Sequence, residues 1–197
     1  MSTETVAHLM GAGEFAKPLE DACIKFRIQT AVEKSHLLAN CYVESRGFTT
    51  TRESLNYTPE RLLKVFSRKR LSTADANRLG RIPGRPANQD ELSRKLYGGF
   101  LGRGLIQLTW LENYLAYSMA MYGDDRVVRS PQLLEQLPDA ALSAGWYFSD
   151  RVPKSLALGR DVRAVRGHIN TAFLGVSEVA EKFDEAMSLF AEISDGA

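Results

Sequence analysis

Two glutamates nine residues apart, Glu44 and Glu53, precede the run Gly102-Arg103-Gly104-Leu105-Ile106-Gln107-Leu108-Thr109. These residue types can do one kind of chemistry together. Cleaving a glycosidic bond takes a protonated carboxyl to give a proton to the leaving oxygen. It also takes an ionised carboxyl to activate water or attack the sugar. Glu44 closes an apolar helical pattern just before Gly47, and the negative end of a helix favours the neutral form that an acid needs. Glu53 follows in a threonine-rich stretch that turns back toward Asn56 and Tyr57. Alone, the pair is a weak signal, since most glutamates at this spacing are surface charges.

The second run adds weight. Gly98, Gly99, Gly102 and Gly104 put four glycines into seven residues, which lets backbone approach backbone or ligand closely. The alternation over residues 105–108 predicts a short strand with Gln107 and Thr109 on one side, as a polar floor. A hydroxyl at Thr109 can hold a water beside a carboxylate base. Arg103 can hydrogen-bond a carboxylate and fix its ionisation.

Helical patterns must position these groups. Apolar residues recur at helical spacing over 15–28 and over 32–45, the latter carrying Leu37, Leu38, Cys41 and Tyr42 on one face. Thr58-Pro59 reads as an N-cap with proline at the first helical position, opening a helix to Phe66. Ser72-Thr73-Ala74-Asp75 opens a short helix to Leu79. Residues 81–88 read as a loop and 90–96 as a helix ending at Gly98-Gly99. Further helices are expected over 110–122, 131–137, 138–149, 161–169 and 177–193. The last has an apolar stripe of Val176, Val179, Ala180, Phe183, Ala186, Met187 and Phe190. Its polar face is acidic, the wrong sign for anionic lipid, so the stripe reads as core. Strand signals are confined to 48–57 and 105–108.

The 197 residues suffice for a single domain, in one body or two lobes with the smaller around residues 55–100. The net charge of +1 does not point to nucleic acid, but its distribution is uneven. Residues 61–105 hold eleven Lys/Arg against three Asp/Glu, and residues 176–197 one Lys against six acids. Such a chain can present a basic wall to an anionic polymer. Cys23 and Cys41 sit in apolar helical patterns and read as buried thiols. His8, His36 and His168 are scattered, so no metal site or cofactor is expected. No secretory signal or membrane-spanning run is legible, so the expectation is a chain made in the cytoplasm of a bacterial host, without stable membrane insertion, and released to the cell wall by another factor.

The order Tyr42-Val43-Glu44-Ser45-Arg46-Gly47-Phe48, then Glu53-Ser54-Leu55-Asn56-Tyr57, then Gly102 to Thr109 resembles glycoside hydrolase family 19. It is most similar to the bacteriophage endolysins of that chitinase-like family. Leu62-Leu63-Lys64-Val65-Phe66, Asn113-Tyr114, Ser130-Pro131-Gln132-Leu133-Leu134, Ala144-Gly145-Trp146-Tyr147-Phe148 and Ile169-Asn170 match its intervening segments. The resemblance implies a mainly α, lysozyme-like fold, with helical lobes around a substrate cleft and at most a small β element. It implies Glu44 as general acid, Glu53 as general base and Thr109 as the hydroxyl that places the attacking water. Tyr57, Arg103, Gln107 and Asn170 match positions lining the cleft or organising the base. Val43 and Arg46 stand where the family has histidine and glycine. Phe100-Leu101 replaces a longer loop, and Thr171-Ala172 replaces two glycines. Trp110 stands where glycine is usual, as a sugar-stacking platform or as core.

The implied activity is inverting hydrolysis of the β-1,4 glycan backbone of peptidoglycan by a monomer. Inversion calls for carboxyls about 6.5–9.5 Å apart. Three alternatives stay open: a chitinase, a degenerate protein that binds glycan or a partner without cleavage, and a toxin delivered into rival cells.

Overall fold

The computed structural model describes residues 2–195. Among these described residues twelve α-helices follow in order: α1 Thr3–Leu9, α2 Ala16–Lys25, α3 Ala31–Glu44, α4 Pro59–Val65, α5 Thr73–Leu79, α6 Gln89–Tyr97, α7 Leu111–Tyr122, α8 Arg126–Arg129, α9 Asp139–Arg151, α10 Lys154–Ala157, α11 Val162–Ile169 and α12 Val176–Asp195. Among the described residues no strand forms and no helix is long and apolar enough to cross a membrane. The chain divides into two compact units. Unit 1 is Met1–Thr51, Arg103–Leu108 and Gln132–Ala197; unit 2 is Arg52–Gly102 and Thr109–Pro131.

Unit 1 is organised on α3. Thr30 and Glu33 form a capping box at its start, each side chain bonding the other's backbone N–H. Leu37, Leu38, Ala39 and Cys41 are fully buried along α3, which packs on α12. The apolar stripe of α12 is core, as its pattern required: Val179, Phe183, Ala186 and Phe190 are buried. Both cysteines are free and buried.

Unit 2 has its own core, in which Leu55, Leu62, Leu79, Leu92 and Leu101 are almost wholly excluded from water. The expected caps are present. Thr58 accepts from Arg61 N–H ahead of Pro59, and Ser72 accepts from Asp75 N–H. Gly98 ends α6 in the left-handed region at φ 63°, which glycine enters without steric cost.

The strand expectations fail. Residues 46–48 all have positive φ, so the chain leaves α3 through a tight left-handed turn and cannot enter a ladder. Residues 105–108 also make no strand. Arg103 and Leu108 bridge to each other through two backbone bonds, of 3.0 and 2.7 Å, and Gln107 has φ 54°. The alternating pattern there marks a closed turn, whose apolar members Leu105, Ile106 and Leu108 are all buried. Trp110 precedes α7 as its N-cap instead of belonging to it. The helix α1, capped by Ser2, has no counterpart among the expected elements.

Candidate active site

In unit 1, Glu44 is the last residue of α3. The helix end beneath it is fixed by Ser45, whose hydroxyl donates to the Cys41 carbonyl at 2.6 Å and accepts from Phe48 N–H at 2.9 Å. The carboxylate meets Arg166 of α11, with Glu44 Oε1 and Arg166 Nη2 2.6 Å apart. Arg166 is 1 % exposed. Its other donors go to Asn40 Oδ1 at 3.0 Å and to the Leu174 carbonyl at 2.9 Å. A buried guanidinium with each of its three nitrogens bonded is fixed in place, and it holds Glu44 in one orientation. Burial alone therefore does not set the surroundings of this carboxyl; a cation does. Burial pushes the nearby Tyr147 phenol up, Arg151 opposes this, and the Glu44 charge adds to the rise.

The same unit holds Arg103, Gln107 and Asn170. Arg103 is buried and donates Nε–H to Glu135 at 2.6 Å. Gln107 turns its amide back onto the Gly104 carbonyl at 3.0 Å, bracing the closed turn. Asn170 follows α11, and its Oδ1 accepts from Ala172 and Leu174 N–H at 3.2 and 3.4 Å. Leu174 in turn accepts from Arg166, so Asn170 shapes the loop that pins the partner of Glu44.

In unit 2, Glu53 is held by two donors. The Tyr97 hydroxyl donates to Oε1 at 2.8 Å and the Gly102 N–H to Oε2 at 3.2 Å. Glu53 N–H donates to the Gly102 carbonyl at 2.8 Å, so the glycine grips the residue from both sides. Burial first, and then the Glu53 charge and hydrogen bond, push the Tyr97 phenol far up, so it remains a donor at any working pH. Its ring meets Phe66 edge-on at 6.2 Å and Trp110 at 5.3 Å. Arg70 covers both Tyr97 and Trp110, at 5.6 and 4.8 Å from the ring centres. Trp110 is nevertheless 41 % exposed, which leaves ring surface for a ligand. Tyr57 packs against the unit 2 core and is near enough to Tyr97 to add to its rise. Thr109 is half-buried and its carbonyl accepts from Asn113 at 2.8 Å, starting the turn into α7. A hollow of about 570 Å³ opens on Glu53, lined also by Arg52, Ser54, Asn88, Gln89 and Asp90.

The structure thus joins Glu44 to Asn170 through Arg166, and Glu53 to Trp110 through Tyr97. Sequence reasoning missed both intermediaries, and Glu135. Arg166 did leave a trace: it occupies an apolar-face position of α11, beside Val162, Val165 and Ile169, where only a paired cation is tolerated. Tyr97 left none, since a tyrosine before two glycines reads equally well as core. Among the described residues, no group of three His, Cys, Asp or Glu side chains could hold a metal ion.

No family model matches the chain. It is 28 % identical over 155 residues to a glycosyl hydrolase family 19 domain-containing protein of Haemophilus influenzae, covering 75 % of this chain and 74 % of that one. A crystal structure of a mutant chitinase C matches with a TM-score of 0.63 at 19 % identity, covering 96 % of this chain and 92 % of the other. Chitinase C from Streptomyces griseus matches with a TM-score of 0.57 at 21 % identity, covering 89 % and 83 %. The mainly helical, lysozyme-like fold is the one these chitinases have, and the resemblance to family 19 holds in sequence as well.

Proposed function

We propose that this chain, similar in sequence and fold to glycoside hydrolase family 19 proteins, hydrolyses the glycan backbone of peptidoglycan with inversion. Glu44 gives its proton to the leaving glycosidic oxygen. Glu53 takes a proton from a water, which attacks the anomeric carbon from the opposite face. The observation that supports this best is the separate fixing of the two carboxyls. Arg166 orients Glu44, while the Tyr97 hydroxyl and Gly102 N–H orient Glu53. A carboxylate offers about four acceptor directions, so two donors leave it able to bind the attacking water as well. Thr109 is the hydroxyl assigned to place that water, and the exposed Trp110 face is a stacking platform for a sugar. We assign the chain's action to the bacterial cell wall, as a monomer.

The test is mass spectrometry of fragments released from purified sacculi, with NMR of the first anomer formed. Wild type should release glycan fragments with an α-configured new end, and Glu44→Gln and Glu53→Gln should release none. Release by Glu44→Gln at the wild-type rate removes the acid assignment, and a β-anomer removes inversion. A second reading, a chitinase, draws on the two chitinase structures with this fold. Turnover of chitin oligomers without turnover of sacculi decides for it.

A further inference from the structure

Unit 2 carries thirteen Lys/Arg against eight Asp/Glu, a net +5 in a chain of net +1. Its acids are largely neutralised within the unit. Asp75 pairs with Arg78 and Lys95, Glu91 with Arg78, and Asp90 with Arg52. Glu60 folds back on its own N–H and then on the Thr58 hydroxyl at the start of α4, which hold its carboxyl below the usual range. Among the described residues, exposed Arg61, Lys64, Arg68, Lys69 and Arg81 enter no ion pair; Arg94 on α6 also enters none, and Arg70 and Arg85 donate to backbone carbonyls instead.

The fold gathers the first five around one short helix. Arg61 and Lys64 are three apart on α4 and so are neighbours on its surface. Arg68 and Lys69 lie in the turn leaving it, closed by the amides of Arg70 and Leu71 on the Ser67 carbonyl at 2.9 and 3.1 Å. Arg81 returns to its other end. Its N–H donates to the Tyr57 carbonyl at 2.8 Å, and Gly80 packs so closely on Pro59 that an added Cβ would stand 2.8 Å from Pro59 N. Seven helical residues span only about 10 Å, so like charges are held near one another without internal compensation. The strip also starts beside Tyr57, four residues from Glu53 in the same unit.

We propose that this strip binds the carboxylates of the peptide stems that peptidoglycan carries on its glycan strands, and so makes the protein prefer stem-bearing glycan. The proposal rests on the peptidoglycan reading above. Chitin is neutral and gives the strip nothing to bind. Stem carboxylates recur along the strand, which suits separate, solvated point charges that act by number instead of one enclosed clamp.

The test compares wild type with the five-fold variant R61Q/K64Q/R68Q/K69Q/R81Q, whose folding is checked by circular dichroism. Substrates are intact sacculi and the same strands stripped of stems by an amidase, with the lactyl carboxylates that this hydrolysis frees then capped as methyl amides. Wild type should cleave stem-bearing strands about tenfold better, chiefly through KM, and lose the preference in about 0.5 M salt. The variant should cleave both alike, at the wild-type rate on stripped strands. A variant that keeps the preference, or a wild type without one, overturns the proposal. Binding of the Glu44→Gln protein to the two materials gives the same decision without turnover. If wild type cleaves neither material, the peptidoglycan reading fails, and the binding comparison still judges the strip. Salt-sensitive binding to phosphatidylglycerol vesicles, without discrimination between the two strands, would overturn it in favour of a membrane surface.

Discussion

Breaking the Glu44–Arg166 pair should be costly from either side, because each substitution strands the other charge. In Glu44→Gln the amide oxygen can still accept from Arg166, which keeps its bonds to Asn40 and Leu174. What is lost is the counter-charge of a guanidinium that is 1 % exposed, so the cost should be at least about 1.5–3 kcal/mol. Arg166→Met removes the cation and leaves Asn40 Oδ1 and the Leu174 carbonyl without this donor. The side chain of Glu44, 18 % exposed, must then find water. Removing one partner of a buried pair costs about 3–5 kcal/mol, or roughly 6–20 °C of Tm at this chain length. In the double variant no charge remains to be stranded, so it should cost no more than Arg166→Met alone. The cycle therefore has a coupling of at least about 1.5 kcal/mol. Urea unfolding followed by circular dichroism measures all four proteins. If the single costs add to within about 0.5 kcal/mol, the two side chains are independent and the orienting role of Arg166 is wrong.

Three more outcomes follow from the geometry. An added Cβ at Gly104, at φ 73°, would meet Ser143 Oγ at 2.7 Å, so Gly104→Ala should lose about 2–4 kcal/mol from backbone strain and overpacking. Ser143→Ala should restore the overpacking part in thermal melts; no recovery in the pair means the clash is not the cause. Tyr97→Phe keeps the ring on Phe66 and Trp110 but removes the donor to Glu53, so kcat on sacculi should fall about 10–100-fold with little change in Tm. An unchanged kcat would show that Gly102 suffices to hold the base. Burial depresses the pKa of His36 below its ordinary 6.5, against the Gly159 bond and Asp161, which raise it. The unfolded chain then takes up a proton that the folded chain refuses, so this contribution is full above pH 6.5 and is lost as pH falls through and below it. The urea midpoint should drop between pH 7 and 5, and drop less in His36→Gln; equal slopes would discard this linkage.

Much of this protein is written locally, because caps and helical periodicity act within a few residues. Thr58-Pro59, Ser72 and Gly98 mark their helix ends in the sequence, and the α12 stripe identifies itself as core. Glu44 and Glu53 were also legible as candidates, by type and by the order of motifs around them. The strand expectation at 105–108 failed because alternation and a closed turn with buried apolar residues give the same short pattern. Only positive φ at Gln107 and the bond pair between Arg103 and Leu108 separate them.

The fixing of each carboxyl was decided by tertiary structure alone. Arg166 reaches Glu44 across 122 residues of chain, and Tyr97 reaches Glu53 across 44. Nothing in local propensity relates residues so far apart. A guanidinium or phenol becomes an orienting group only when packing removes its other partners, and packing belongs to the folded chain. The sequence thus determined which groups are available for the chemistry and which segments carry them. The fold decided which carboxyl meets a cation and which meets two neutral donors.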